Sequence, residues 1–209
     1  MTAQRQTEAL HATDPRALEQ ALRVIERGGP VVIPTETVYG LTADAENAEA
    51  VQKVFDLKGR SLEKPSAIYL PTADDIETYA VDLPTVARRV IAELLPGPLT
   101  VVLKSRRHNW PGVVGADGRI GFRVSSDRFV AKLTIRSGRP LLATSASLSG
   151  GGDLVTYSEV MECFGNRVPL ILYKEERLAG RASTVLDLST AKPHILRQGD
   201  LQLPDWVFA

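Results

Sequence analysis

Cysteine is almost absent from this chain. Of 209 residues only Cys163 carries a thiol, so no disulfide can close within the chain, as in proteins of reducing compartments. The three histidines, His11, His108 and His194, stand apart and have no cysteine partners, so no metal-ligand spacing is present. Net charge is missing as well: 25 Lys and Arg balance 25 Asp and Glu. No global basic field draws the chain to nucleic acid, and any anion site must be a local cluster. No apolar run approaches the roughly 20 residues that span a bilayer, and Met1 to Glu8 lacks the apolar core of a secretory signal. The expected location is the cytoplasm, with no membrane partner. A phosphate loop ending in Gly-Lys-Ser/Thr is absent, and so is a Gly-x-Ser-x-Gly nucleophile elbow. Internal repeats, low-complexity tracts and convincing linkers are missing too.

What is present is an ordinary globular composition, 44% hydrophobic and 24% charged. Its length suits one large domain or two small ones. Asp14-Pro15 reads as a cap and first-turn proline for a helix to about Glu26, which Gly28-Gly29-Pro30 ends. Val31 to Ile33 is a buried strand. A helix begins near Asn47, with Ala50, Val51, Val54, Phe55 and Leu57 at helical spacing and Lys58 at its end. Strands are expected at Ala67–Leu70, Leu99–Leu103, Arg119–Val124, Leu141–Thr144, Leu170–Tyr173, Thr184–Leu188 and His194–Leu196. Helices are expected at Ala73–Tyr79, Pro84–Leu94, from Asp127 to about Arg136, and at Thr156–Phe164. The polar, glycine-rich stretch Ser105 to Gly118 is a loop that could cover a site. This alternation predicts one α/β domain over residues 1–209, with its core at about 14–200. The late run of strands makes the sheet mixed rather than parallel.

Several segments can carry chemistry, each beside a plainer reading. Pro34-Thr35-Glu36-Thr37 follows a buried strand, where open α/β folds bind ligands; it is also a turn that side-chain hydroxyls stabilise. Lys58, Arg60 and Lys64 form a cation cluster suited to phosphates, or a solvated helix end that complements the helix dipole. Arg123 lies mid-strand among apolar neighbours and, if buried, needs a structural carboxylate or a carboxylate ligand. Arg119, four residues earlier, shares its face. Thr144-Ser145-Ala146-Ser147-Leu148-Ser149-Gly150 is a small-residue loop able to approach a phosphate, or a flexible surface loop. Ser183 enters one late strand and Arg197 ends the next. From the residues alone these ends point to an anionic small molecule, a nucleotide above all.

Taken in order, these segments resemble the YrdC-like family of threonylcarbamoyl-AMP synthases. Pro34 to Leu41, Lys58 with Arg60, Pro96-Gly97-Pro98-Leu99-Thr100, Gly121 to Val124, Ser183 to Asp187 and Leu196 to Gly199 all match its pattern. The similarity runs from about Leu18 to Gly199. It implies a twisted open mixed sheet flanked by helices, with a central, positively lined cavity, in the single-domain form. It implies that L-threonine, bicarbonate or CO2, and ATP become threonylcarbamoyl-AMP and pyrophosphate. That product serves the N6-threonylcarbamoyl modification of adenosine 37 in tRNA, completed by separate transferase proteins. By position, Thr35, Tyr69, Arg123, Ala143 and Ser183 are expected at the threonine. Lys58, Arg60, Lys64, Arg119, Ser145, Ser147 and Arg197 are expected at the ATP, with Lys58 and Arg60 also serving catalysis. Mg2+ would come with ATP on phosphate oxygens rather than in a protein cage. Two positions depart from the pattern: Ser147 replaces an asparagine, and Tyr69 stands where some members have histidine. They leave open a divergent relative that binds nucleotide, tRNA or double-stranded RNA through the same cavity.

Overall fold

The computed structural model describes residues 6–209. Residues 1–5, part of the stretch read as lacking a secretory leader, lie outside the described residues. The first half of the chain runs β1 (Glu8–His11), α1 (Ala17–Glu26), β2 (Val31–Ile33), β3 (Gly40–Thr42), α2 (Ala48–Lys58), β4 (Ala67–Tyr69), α3 (Ile76–Tyr79) and β5 (Ala80–Val81). It continues with α4 (Thr85–Leu94), β6 (Leu99–Ser105), β7 (Arg119–Arg123), α5 (Arg128–Ser137), β8 (Leu141–Ser145), α6 (Tyr157–Phe164), β9 (Leu170–Tyr173), β10 (Thr184–Asp187) and β11 (His194–Arg197). A 3-10 turn, Asp205–Val207, follows.

Local chemistry sets most of these bounds. Asn47 caps α2 by accepting from the backbone of Glu49 and Ala50, and Asp127 caps α5 through Phe129 and Val130. Thr156 and Glu159 form a reciprocal capping box on α6. Gly59 ends α2 at φ 61°, a left-handed conformation that glycine adopts without a Cβ penalty. The chain then turns, and Arg60 is anchored by its N–H to the Phe55 carbonyl. One expectation shifts: α1 starts at Ala17, not at Asp14-Pro15. Asp14 instead binds the backbone and side chain of Arg16, a local turn that competes with helix entry.

The strands form one mixed sheet in the order β1-β9-β2-β3-β8-β4-β7-β6-β10-β11, with β5 on β6. Its two faces carry different cores. Ile33, Leu170 and Leu172 join Leu22 and Ile25 of α1 and Val130 and Leu133 of α5. The alternate residues Val32 and Ile171 join Val54 and Phe55 of α2, Val90 of α4 and Phe164 of α6. Neighbours in a strand point to opposite sides, so the two clusters lie on opposite faces. Among the described residues, no helix is long and apolar enough to cross a membrane.

Candidate functional site

Strand register places the site. Leu141 of β8 pairs with Tyr69, Tyr69 with Arg123, and Arg123 with Thr100. Thr100 pairs with Val185, and Val185 with Arg197. Directly paired residues share a face, so these six form one row across the sheet. Tyr69 and Leu141 touch the core under α1 and α5. Farther along the row a cavity of about 120 Å³ opens instead, and Tyr39, Tyr69, Thr100, Arg123, Ser183 and Arg197 line it. Arg60, Ala143 and Ser145 complete its wall. The volume is well below the several hundred Å³ of sites for drug-sized ligands. It suits a ligand of amino-acid size. A second, more open hollow of about 430 Å³ shares Ala182 and Arg197 with it, and Asp153, Arg181 and Gln198 line this mouth.

Arg123 forms the floor. It is 8% exposed. Nη2 donates to Glu36 Oε1 at 2.9 Å and to Thr37 Oγ1 at 2.8 Å. Nη1 reaches the Tyr69 hydroxyl only at 3.4 Å, and Nε–H is buried with no partner in the protein. Burial works against the charge, but Tyr69 and Glu36 outweigh it and hold the guanidinium above its ordinary pKa. Burial pushes the Tyr69 phenol up, with Arg123 pulling the other way, so it stays a neutral O–H donor. Both partners foreseen for Arg123 are therefore relevant: Glu36 is the structural carboxylate, and a donor remains for a ligand. Beside it, the Thr100 and Ser183 hydroxyls meet at 2.8 Å.

The mouth is built from cations with few anions. Arg197 turns from the exposed edge strand to donate to the Ser183 carbonyl and hydroxyl at 3.0 and 3.2 Å. Arg60 donates to the Pro65 carbonyl at 3.0 Å. Burial, then Arg197, depresses the pKa of Arg60. Burial and Arg123 depress that of Arg197, with Asp153 offsetting part of the effect. Lys58 is 4% exposed, not a solvated helix end. Its Nζ donates to the Ser147 carbonyl at 2.7 Å and to the Ser145 carbonyl. Burial, then Arg60, pushes its pKa down to about 8. Ser145 and Ser147 share a hydroxyl contact of 2.8 Å.

The expected residues thus divide. Tyr69, Arg123, Ala143, Ser183, Arg60, Ser145 and Arg197 line the cavity. Lys58 and Ser147 sit immediately behind the Ser145 wall. Thr35, Lys64 and Arg119 do not line it. Thr35 is buried within its turn and donates to the Val38 carbonyl at 2.7 Å. Lys64 is exposed. Arg119 shares the face of Arg123, as strand parity requires, but Asp117 and Asp187 bind it there. Glu36 and Ser125 were missed as site residues, because nothing in the sequence shows that a turn after β2 reaches Arg123, 87 residues away.

A larger hollow, about 710 Å³, lies away from this row, and Arg23, Arg27, Lys53 and Arg167 border it. Arg167 donates to the carbonyls of Cys163 and Leu57, and Lys53 to that of Gly28. Arg167 thereby completes the C-terminal ends of α6 and α2, where carbonyls lack partners, and Lys53 holds the turn after α1.

Comparison with known proteins points to one family. A family model described as "Telomere recombination", covering Sua5, YciO and YrdC, matches residues 23–199. A threonylcarbamoyl-AMP synthase of Pyrococcus abyssi is 34% identical over 87% of the chain, which spans only about half, 53%, of that relative. A threonylcarbamoyl-AMP synthase of Vibrio campbellii is 32% identical over 87% of the chain and 98% of its own length. Among solved structures, P. abyssi Sua5 complexed with L-threonine superposes with TM-score 0.85 at 31% identity, covering 93% of this chain and 58% of that one. E. coli YciO gives 0.82 at 25% identity over 93% and 96%.

Proposed function

The chain belongs to the Sua5/YciO/YrdC family, and from that premise we propose that it makes threonylcarbamoyl-AMP from L-threonine, bicarbonate or CO2, and ATP. The observation that carries this reading is Arg123: a guanidinium on the floor of an amino-acid-sized cavity, whose Nη1 has only a 3.4 Å contact to the Tyr69 hydroxyl. A charged donor so weakly engaged beside a cavity suits a ligand carboxylate. The Thr100–Ser183 hydroxyl pair meets the threonine side chain, and Tyr69 O–H donates to its carboxylate. ATP enters as its magnesium complex, a substrate. Its cation would be held by phosphate oxygens.

Threonine's free amine adds to CO2 and releases one proton to solvent, leaving a carbamate. A carbamate oxygen attacks the α-phosphorus, the bond to pyrophosphate breaks, and pyrophosphate leaves with the released charge. Arg60 and Arg197 bind the phosphates and stabilise that charge, Lys58 adds its charge from behind the Ser145 wall, and Ser145, with Ser147 behind it, contacts the nucleotide. The protein positions the reactants and forms no covalent bond with them. Residues 14–200 serve this site as one domain, since the register row draws on strands from Tyr69 to Arg197. The product then passes, in the cytoplasm, to a separate transferase acting on tRNA. Incubation with ATP, Mg2+, L-threonine and bicarbonate tests the reading. Pyrophosphate is expected only when threonine is present; no threonine-dependent release across a range of pH and Mg2+ overturns it.

A further inference from the structure

Two hydrogen-bond chains end on one nitrogen of Arg123. In the first, the single proton of the Thr35 hydroxyl goes to the Val38 carbonyl at 2.7 Å. Thr35 Oγ1 and Thr37 Oγ1 lie 3.0 Å apart, so in that contact Thr37 must be the donor. Thr37 then has only lone pairs left, and one accepts from Arg123 Nη2 at 2.8 Å. In the second, the Asp127 N–H donates to Ser125 Oγ at 3.2 Å. Ser125 donates to Glu36 Oε2 at 2.6 Å, and Glu36 Oε1 accepts from the same Nη2 at 2.9 Å. Both protons of Nη2 are therefore engaged. Neither Glu36, Thr37 nor Ser125 lines the cavity; they grip Arg123 from behind.

We propose that Glu36 and Thr37 are positioning residues that clamp Nη2 of Arg123 and fix the plane of its guanidinium, so that Nη1, engaged only by the 3.4 Å contact to Tyr69, is the nitrogen presented to a ligand carboxylate. Glu36 and Thr37 of the turn after β2 thus act through Arg123. Thr35 sets the direction of the chain: without an acceptor at Thr35, the Thr37 proton is free to face the guanidinium, where it repels. This deepens the proposed function, because the ligand carboxylate it serves is that of threonine. Charge and position separate cleanly here. Thr37→Val removes an acceptor and leaves every charge in place. Glu36→Asp keeps the charge on a side chain one methylene too short to bridge Arg123 and Ser125.

Two readouts test the clamp. In the wild type, 15N NMR of the Arg123 guanidinium should show two distinct Nη resonances, the mark of hindered rotation; in Thr37→Val and in Glu36→Asp they should merge. In pyrophosphate release, each variant should raise the KM for L-threonine about tenfold, the weight of one hydrogen bond to a charged group, while the KM for ATP stays within about twofold. A variant that fails to fold leaves the other to decide. Merged resonances in the wild type, resonances unchanged in the variants, or equal rises in both KM values overturn the clamp. A wild type without threonine-dependent turnover defeats the functional reading instead, and the NMR comparison still decides the clamp.

Discussion

The floor and the mouth of the cavity handle positive charge in opposite ways. At the floor Arg123 is buried, paired with Glu36, and held by two hydrogen-bonded chains. At the mouth Arg60 and Arg197 rest on backbone carbonyls, with the pKa of each depressed by burial and by neighbouring arginines. A balanced, fixed cation suits one carboxylate of defined geometry, because the ligand need not supply the whole counter-charge. A set of under-compensated cations suits a polyanion, whose charge relieves their mutual repulsion. The same residue type therefore recognises two different ligands, according to what stands behind it.

The largest effect should come from breaking the floor. Arg123→Ala leaves Glu36, 16% exposed, without its partner and removes the floor cation. The KM for L-threonine should rise about a hundredfold or more, from the roughly 2–5 kcal/mol lost in binding when one partner of a hydrogen-bonded charge pair is removed, with the KM for ATP changed far less. Steady-state kinetics with each substrate varied reads the split. Breaking the mouth should do the converse: Arg60→Ala should raise the KM for ATP about tenfold, as for one charge-assisted contact, and leave threonine nearly unchanged.

A pH series sharpens the contrast. The charged form of Lys58 donates to the Ser145 and Ser147 carbonyls, and its proton is lost as pH rises through about 8. ATP affinity should fall over that limb. Arg60 lowers the Lys58 pKa, so Arg60→Ala should move the limb to higher pH. The same depression gives a stability effect of known sign. Between about 8 and the ordinary 10.5 the unfolded chain holds the proton more often, so this group makes stability rise with pH there. Thermal unfolding across that window measures it. The smallest effect is expected from Ser147→Asn. It restores the longer amide of the family pattern behind the Ser145 wall and should lower the KM for ATP a few-fold, about 1 kcal/mol for one added hydrogen bond.

Much of the fold was legible because local chemistry decided it. Asn47 and Gly59 bound α2, and Asp127 and Gly138 bound α5; each has its own local reason to begin or end a helix. What escaped depends on partners distant in sequence. Glu8–His11 is a four-residue strand that exists through parallel pairing with Leu170–Tyr173. Gly40–Thr42 is absent from the expected strands, and pairing with β2 and β8 makes it one. The site divided in the same way. Strand parity put Arg119 and Arg123 on one face but could not foresee that Asp187 would bind the first. Thr35 was singled out for its hydroxyl, and the hydroxyl is used within the turn. The nearby carboxylate that acts on Arg123, Glu36, gave no local signal of its role.

The account rests on the floor recognising a carboxylate, and calorimetric titration with L-threonine and with L-threoninamide tests that most directly. L-Threonine should bind the wild type with measurable heat. The amide keeps the side chain and amine but lacks the carboxylate, and should bind at least tenfold more weakly. Equal affinity for the two would show that Arg123 is not where the substrate's negative charge goes.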